Sequence, residues 1–583
     1  MSASTDTART RLALVLGRWM PFAMLGLMLT WLVVVPLVIL LVGSFSVTGL
    51  PVDFFTRGFT LDNYIQTYSD PFFWRMAWTT TVFAVCSALG SLTLGIILAW
   101  LVERTDLPAR GLVRVLIILP LATPPVLLAI GWIMLLSPRT GFFNQLLQSG
   151  LGLSAAPFNI YSLTGMIFVD MLALVPSTFL ILSPAFRNMD PNLEEAAMTS
   201  GARFHTMIWR VVLPLLLPAI LAAGGFLLIV GFLVFDIPGA IGMPVGIFVL
   251  STRVVYLATD APTGMAEYGL IASMAIFFLV VLLLIAFGYQ RATRRAARFV
   301  TVTGKGFRIR PFALKRWRWV AFGFVALYFT LVTIAPMGIL IWASLMPWFA
   351  QPSWDMLQHV TLANHLDFFN NRRAVRAAQN SITISVISAT AVAVISIIIS
   401  WVVVRSNAVG RRVLDALAFL PIAIPGVMIG VALIFVYLTF DLLPIYGTIW
   451  IIVIAYVTNY ISFGTRASNG VMVQLHSDLE EAAMTSGARW GRLMRSIIIP
   501  LTLPALVAVW IWVLAICMRE LTSALLLQGR GNTTVPVLLW GYWTGGQPNR
   551  AAAVGVWLVV AMLFVIGLWQ FMAQRSRLSG VRE

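Results

Sequence analysis

One short stretch of this 583-residue chain carries two adjacent acids and occurs twice. Residues 193–203 recur letter for letter as residues 479–489, 286 positions later. The shared residues are Glu194, Glu195, Ala196, Ala197 and Gly201 in the first copy and Glu480, Glu481, Ala482, Ala483 and Gly487 in the second. Helix formers that end at a glycine predict a short capped helix in each copy, with Asp190 able to cap the first. Two such helices suit docking of a partner protein, whereas a single copy would indicate an ordinary amphipathic surface helix.

Five ionisable residues stand inside or at the ends of long apolar runs. They are Asp170, Asp236, Glu267, Arg519 and Glu520. A charge at mid-depth in a membrane costs about 2.5–3.5 kcal/mol on the insertion scale. We therefore expect boundary positions in water, or an Arg519 that pairs with an acid and holds helices together. The alternative is a translocation pathway lined by Asp170, Asp236, Arg519 and Glu520.

Several kinds of chemistry find no support in the sequence. No GxxxxGK[ST] loop occurs, so we expect no ATP site of the phosphate-loop kind in this chain. No histidine, cysteine or acid cluster has metal-ligand spacing, and no catalytic set supports a membrane-embedded enzyme. Cys86 and Cys517 lie in apolar runs, where we expect small packing residues and no disulfide.

The composition indicates the type of fold that positions these residues. The chain is 60% hydrophobic and 10% charged, with a mean hydropathy of +0.92. A soluble domain cannot bury so much apolar surface, so we predict an all-α polytopic membrane protein. Twelve runs are long enough to span a bilayer, six in each half. The predicted spans are about 21–43, 76–101, 114–136, 161–184, 213–236 and 264–288, then 319–344, 380–403, 414–438, 446–465, 499–523 and 551–573.

The two halves form a tandem repeat that extends beyond the glutamate pairs. Trp100 and Arg104 match Trp401 and Arg405 at a spacing of 301, and residues 60–63 match residues 361–364 in three letters of four. The spacing later falls to 286, so the first half carries 15 extra residues near 137–160. Six spans return each half to the same side, which predicts parallel repeats. We expect one unit at 1–288, a linker at 289–318 and a second unit at 319–583, with the repeated stretches in loops 190–214 and 476–500.

The positive charges follow the loops of one predicted membrane face. A net charge of +17 distributed in this way indicates membrane topology and not nucleic-acid binding. It places both termini, the linker and both repeated stretches in the cytoplasm, and the 15-residue insertion outside. The polar start with Arg9, Arg11 and Arg18 precedes a retained first helix. The linker favours an anchor against anionic lipid, and its basic residues are Arg291, Arg294, Arg295, Arg298, Lys305, Arg308, Arg310, Lys315, Arg316 and Arg318.

Prolines interrupt the third predicted span of each half. Pro120, Pro124 and Pro125 in the first half correspond to Pro421 and Pro425 in the second. Each proline removes a backbone donor and favours a kink or break. A packing kink and a bent helix that lines a pathway explain them equally well.

The repeated stretch resembles the EAA signature of binding-protein-dependent ABC importer permeases, which is Glu-Ala-Ala, three residues, Gly, nine residues and Ile-x-Leu-Pro. Both copies keep this spacing, with Val211 in place of Ile in the first and Ile499 in place of Leu in the second. Two units fused in one chain are similar to the ferric-iron-type permeases of this family. Further similarities to that group are Phe235-Asp236-Ile237-Pro238, Thr252-Arg253 and Arg519-Glu520-Leu521.

The resemblance implies a type I ABC importer permease in the bacterial inner membrane, which is a transport subunit and no enzyme. It implies a periplasmic solute-binding protein and two ATPase subunits, most simply a homodimer, which carry ATP and Mg and receive the two Glu-Ala-Ala helices in grooves. The best guess for the solute is ferric iron, with thiamine, phosphonate or another small solute as alternatives. A 12-helix ion-coupled secondary transporter is a further alternative that leaves the repeated helices unexplained.

Overall fold

The computed structural model describes residues 22–47, 51, 55, 58–259, 266–296, 311–406, 410–440, 444–476, 478–488 and 490–579. Arg9, Arg11, Arg18, Arg489 and the linker residues 297–310 lie outside this described part. Within it the secondary structure is helical, apart from two single-residue bridges. The all-α prediction is therefore confirmed.

The first half contributes twelve helices, α1 to α12. They are α1 (Phe22–Ser44), α2 (Asp62–Ser69), α3 (Pro71–Arg104), α4 (Arg110–Ile118), α5 (Pro125–Leu136), α6 (Phe142–Leu151), α7 (Leu163–Asn188), α8 (Pro191–Thr199), α9 (His205–Leu233), α10 (Asp236–Ile241), α11 (Leu250–Thr259) and α12 (Tyr268–Ala296).

The second half contributes eleven helices, α13 to α23. They are α13 (Trp317–Ser344), α14 (Ala363–Asn370), α15 (Arg372–Arg405), α16 (Arg411–Phe419), α17 (Gly426–Thr439), α18 (Ile449–Met472), α19 (Asp478–Thr485), α20 (Trp490–Arg519), α21 (Thr522–Leu527), α22 (Val535–Thr544) and α23 (Pro548–Ser579). They follow the order of the first half, except that α6 has no counterpart among the residues described.

In the described part of the chain, nine helices are long and apolar enough to cross a membrane, or up to eleven if each of two bent pairs counts as one span. The bent pairs are the third predicted spans, where the chain turns by 94° between α4 and α5 and by 110° between α16 and α17. The prolines thus produce breaks and not gentle kinks. The remaining predicted span is α18, a 24-residue helix whose middle carries polar residues such as Asn459.

Other prolines follow widened turns inside long helices. A π-helical turn at Thr30–Val34 precedes Pro36, and its counterpart at Thr330–Ile334 precedes Pro336. Similar turns at Ile208–Val212 and Met494–Ile498 precede Pro214 and Pro500. Because proline has no N–H and its ring crowds the preceding turn, a wider turn lets the helix continue through it.

The two halves are intertwined through their first long helices. α1 packs against α17 of the second half, and α13 packs against α5 of the first. A Cβ atom at Gly131 on α5 would lie 2.7 Å from Cβ of Pro336 on α13, so only glycine permits this approach. Trp31 on α1 donates from Nε1 to the Tyr437 hydroxyl on α17 at 3.2 Å.

Two matched asparagines explain the repeat at 60–63 and 361–364. Asn63 donates from Nδ2 to the carbonyl oxygens of Ser44 and Ser46 at 3.1 and 2.9 Å. Asn364 does the same for Ser344 and Met346 at 3.0 and 2.8 Å. Each asparagine therefore satisfies carbonyls that the end of α1 or α13 leaves without helical partners.

The predicted 15-residue insertion is built around helix α6. Asn144 on α6 is fully buried, and its Nδ2 donates to carbonyl oxygens of Leu136, Ser137 and Phe158 at 2.9–3.0 Å. Its Oδ1 accepts from the Phe158 N–H at 3.1 Å. One side chain thus fastens both ends of the insertion to the end of α5.

Candidate functional site

The two repeated stretches form short helices whose C-terminal ends have the same geometry. In α8, Asp190 caps the start by accepting from the Asn192 N–H at 2.9 Å. At the other end the Gly201 N–H bonds to Met198 and the Ala202 N–H bonds to the Ala197 carbonyl, both at 3.0 Å. This pair of bonds is the Schellman motif, and Gly201 holds the left-handed φ of +83° that it requires.

The end of α19 repeats this geometry. The Gly487 and Ala488 N–H groups bond to the Met484 and Ala483 carbonyl oxygens at 3.0 Å. Gly487 has a φ of +84°. The helices and caps predicted from the repeated letters are thus present in both copies. We call α8 and α19 the coupling helices.

A buried arginine fastens the first coupling helix to the membrane bundle. Arg104, the last residue of α3, pairs with Glu194 of α8 at 2.7 Å between Nη2 and Oε2, and the two side chains are 1% and 13% exposed. Nη1 of Arg104 also donates to the Met189 carbonyl at 3.1 Å. Removing one partner of a buried ion pair costs roughly 3–5 kcal/mol of stability, so α8 and the end of α3 form a rigid joint.

The second half has the matching joint. Arg405, the last residue of α15, pairs with the buried Glu480 of α19 at 3.1 Å between Nε and Oε1. Trp401 adds a bond from Nε1 to Glu480 Oε2 at 3.2 Å, and Arg405 donates to the Met472 and Leu475 carbonyl oxygens. The sequence repeat already matched Arg104 with Arg405 and Glu194 with Glu480. It did not reveal that each arginine binds its glutamate.

The second glutamate and the first alanine of each motif face outward. Glu195 and Ala196 on α8 are exposed, as are Glu481 and Ala482 on α19, while Ala197 and Ala483 are half-buried. The adjacent acids therefore have different positions: the first of each pair points to the bundle and the second to the surface. Gly201 and Gly487 also lie at the surface, with open space around each Cα.

A buried acid that sequence reasoning missed reinforces the first joint. Glu103 on α3 accepts from Arg114 Nη2 on α4 at 2.9 and 3.0 Å and from Arg187 Nε on α7 at 3.2 Å. Ser183 on α7 also donates to Glu103. The second half has Val404 at this position and an exposed Arg466–Asp415 pair at 3.5 Å instead. The adjacent letters Glu103-Arg104 at a helix end were the available signal.

The last residues of the linker also reach the first joint. The Phe312 N–H donates to the Arg104 carbonyl at 2.7 Å, and the Asp106 N–H donates to the Phe312 carbonyl at 3.1 Å. The Phe312 ring lies 6.1 Å from the Trp100 ring, centroid to centroid. Trp401, the counterpart of Trp100, instead contacts Trp490 at 5.8 Å.

The candidate pathway residues converge at the centre of the bundle. Asp170 is buried on α7, and its carboxylate interacts electrostatically with that of Asp236 at the start of α10. Asp236 in turn interacts with Arg519, the last residue of α20, and with Glu520. The structure therefore brings together all four candidates. Glu267 lies just before α12, where its carbonyl oxygen accepts from the Ile271 N–H at 3.0 Å.

Arg519 and Glu520 have definite hydrogen-bond partners. Arg519 donates from Nη1 to the Leu121 carbonyl of the first half at 2.7 Å. Glu520 accepts from the Ser523 N–H at 3.0 Å and from the Ala524 N–H at 3.4 Å, which satisfies the start of α21. The guanidinium of Arg519 thus bonds to a backbone carbonyl oxygen of the first half and also lies within electrostatic range of an acid, Asp236.

A cavity of about 630 Å³ lies between the halves at the end opposite the coupling helices. Its lining includes Tyr161 from the first half and Trp348, Trp543, Gln547 and Arg550 from the second. The described residues include no group of three histidine, cysteine or acid side chains that could hold a metal ion. Cys517 is buried as expected, but Cys86 is exposed on α3, which corrects the expectation that both are packing residues.

The chain matches the family described as "Binding-protein-dependent transport system inner membrane component" twice, at residues 91–298 and 392–578. The ferric transport system permease protein FbpB of Actinobacillus pleuropneumoniae is 25% identical over 474 residues, which cover 80% of this chain and 66% of the relative. The chain thus spans just under two thirds of that relative's length. The Fe(3+)-transport system permease protein FbpB 2 of Haemophilus influenzae is 23% identical over 487 residues, which cover 82% and 86% of the two chains.

A solved bacterial ABC transporter involved in the import of the acidic polysaccharide alginate aligns with a TM-score of 0.39 and 24% identity, covering 49% of this chain and 99% of that one. The family match covers most of both halves and includes both coupling helices. The chain therefore belongs to the family of inner membrane components of binding-protein-dependent transport systems.

Proposed function

We propose that this chain is the transmembrane subunit of an ATP-driven importer and carries no enzymatic activity itself. ATP and Mg would be held by two partner ATPase subunits, most simply a homodimer. The observation that carries the proposal is the pair of coupling helices, each joined to the bundle by a buried arginine–glutamate pair, Arg104–Glu194 and Arg405–Glu480. Family membership supports it.

The joints suggest how force enters the bundle. The exposed faces with Glu195, Ala196, Glu481 and Ala482 would occupy grooves on the two ATPase subunits. When the ATPase dimer closes on ATP, α8 and α19 move together, and the arginine pairs transmit that movement to the ends of α3 and α15. Both α3 and α15 have 34 residues, so each carries the displacement about 50 Å along the bundle. The bundle then alternates between outward and inward access.

The solute that fits best is ferric iron, delivered by a periplasmic solute-binding protein. Relatives named as ferric permeases support this choice. The central cluster has three acids, Asp170, Asp236 and Glu520, against the single Arg519, which favours a cation over an anion. Thiamine, phosphonate and other small solutes remain the alternatives.

The proposed setting is a bacterial inner membrane with both termini, the linker and both coupling helices in the cytoplasm. Loops 190–214 and 476–500 would then face the ATPases, in units bounded at 288 and 319. The α6 insertion and the 630 Å³ cavity would face the binding protein.

Transport in proteoliposomes tests the proposal. The chain would be purified with a candidate ABC ATPase from the same organism, and a candidate periplasmic binding protein would be added with radioactive ferric iron. ATP-dependent uptake that needs the binding protein is the expected result. Uptake of thiamine or phosphonate but not iron would support an importer whose solute is not ferric iron. Uptake that persists without ATP and collapses with the ion gradient would support a secondary transporter instead.

A further inference from the structure

The broken third span of the first half leaves a carbonyl without a helical donor. Leu121 lies in the 3-10 turn Leu119–Ala122, and the residues three and four positions later are Pro124 and Pro125, which have no N–H. Arg519 supplies the missing donor from the other half at 2.7 Å. A charge-assisted hydrogen bond therefore links the halves at the bend.

The second half lacks this arrangement, which provides an internal comparison. At the spacing of 301, Gly426 stands where Pro125 does, and at the spacing of 286, Arg519 corresponds to Leu233. The half with the extra proline is thus the one whose carbonyl receives an arginine from its neighbour. Among the described residues, this hydrogen bond is donated by the second half to the first and has no reciprocal counterpart, although the rest of the architecture is repeated.

A second acceptor lies within electrostatic range of the same guanidinium. Asp236 attracts Arg519, and the buried Oδ1 of Asp236 has no hydrogen-bond partner in the described part of the chain. A buried carboxylate oxygen without a partner is costly, so a movement that brings Arg519 to it would be favourable. Arg519 therefore has one occupied acceptor, the Leu121 carbonyl, and one vacant acceptor, Asp236.

We propose that Arg519 is a positioning residue that exchanges the Leu121 carbonyl for the Asp236 carboxylate when the bundle alternates between its two access states. This inference rests on the proposed alternation. In the observed arrangement, the Leu121 bond holds the state. Loss of the Asp236 charge would therefore favour the observed state, whereas loss of the arginine would remove a bond from both states.

Distances between spin labels on the two halves test the exchange. Labels at Thr164→Cys and Thr544→Cys, on exposed ends of α7 and α22 beside the 630 Å³ cavity, would report two distance populations in a Cys86→Ala background. Asp236→Asn should shift their ratio at least about tenfold toward the observed state, because it weakens the partner of Arg519 in the other state. A tenfold ratio corresponds to about 1.4 kcal/mol, and hydrogen bonds to charged groups exceed that. In an Arg519→Leu background, Asp236→Asn should no longer shift the ratio, because the arginine is then absent from both states.

Two further variants keep the test decisive. Arg519→Lys retains a charged donor and should stay near the parent ratio, and Arg466→Gln removes an exposed charge and should leave the ratio unchanged. If Arg519→Leu does not fold, the effects of Asp236→Asn and Arg519→Lys on the ratio still test the exchange. Two populations that ignore Asp236→Asn, or that shift with it equally in the Arg519→Leu background, would overturn the exchange. A single population under all conditions, with and without ATPase and nucleotide, would overturn the alternation as well.

Discussion

At the scale of single residues, the two glutamates of each pair differ in burial and therefore in role. Glu194 and Glu480 are turned toward arginines at helix ends, whereas Glu195 and Glu481 are exposed. A buried charge needs its partner, and an exposed one is stabilised by water. The inner glutamates are therefore structural joints, and the outer glutamates lie on the surface that we propose for docking.

Replacing either joint arginine should uncouple transport from ATP hydrolysis. Arg104→Gln leaves Glu194 without its ion pair in a nearly buried position, and we expect a loss of roughly 3–5 kcal/mol in local stability. Uptake in proteoliposomes should fall at least about tenfold, because a factor of ten corresponds to only about 1.4 kcal/mol. The variant should still insert into the membrane. The measurements are uptake and protease sensitivity of the α8 region.

Arg466→Gln is the matched control for this loss. Its ion pair with Asp415 is 3.5 Å long and its side chains are 44% and 33% exposed, so removal should change stability by less than about 1 kcal/mol. Equal effects of the two substitutions on uptake would show that the joint has no special role.

These joints also mark the limit of what the sequence can predict. The letters 193–203 determine a local structure, because helix propensity and a terminal glycine act within a few residues, and that helix was predicted with its cap. Arg104 is 90 residues from Glu194, and nothing local records that they meet. The same holds for Arg519 and Leu121, which are 398 residues apart. Such contacts depend on the packing of whole helices.

At the scale of elements, the coupling helices owe their length to their glycine caps. Gly201 and Gly487 have left-handed φ values of +83° and +84°, and a Cβ atom at either position would have no neighbour within 4 Å. Substitutions there should therefore act through backbone strain and not through steric clash. The geometry therefore ranks substitutions at Gly201 and Gly487 by how readily the new residue adopts a left-handed φ.

We expect Gly201→Val to weaken ATPase association more than Gly201→Asp, and Gly201→Asn to weaken it least. A β-branched residue in the left-handed region costs about 1–2 kcal/mol, whereas Asn and Asp visit it more readily. Co-purification of the ATPase and its stimulation by loaded binding protein should fall in that order. Unchanged values for Gly201→Val would refute the docking role of α8.

The breaks in the third spans show a different kind of limit. Pro120, Pro124 and Pro125 predict an interruption from their missing donors. The bend angles of 94° and 110° follow from what α5 and α17 must pack against, namely α13 and α1 of the opposite half. The sequence could therefore locate the breaks but not their direction.

At the scale of the whole molecule, the halves are held together by packing as well as by the linker. α1 and α13 each pack on the opposite half, and Gln351 donates to the Thr140 carbonyl at 2.9 Å across the halves. Thr439 likewise donates to the Pro51 carbonyl at 2.8 Å. The linker raises the effective concentration of one half near the other, but these contacts exist without it.

The chain should therefore function when it is divided. Residues 1–300 and 301–583, produced as separate chains in one cell, should co-purify and support uptake within about tenfold of the intact chain, since only effective concentration is lost. Either fragment alone should be degraded, because α1 or α13 would lack its packing partner.

Gly131→Leu is the variant that separates packing from tethering in this experiment. Its side chain would meet Pro336, whose Cβ lies 2.7 Å from a Cβ at position 131, and such overpacking costs about 1–3 kcal/mol. In the divided protein this cost opposes association directly, so co-purification should be lost. In the intact chain the linker offsets part of it, so assembly should persist with reduced stability. Fragments that insert but never co-purify, even with Gly131 in place, would show that the linker and not the crossing of α5 and α13 holds the halves together.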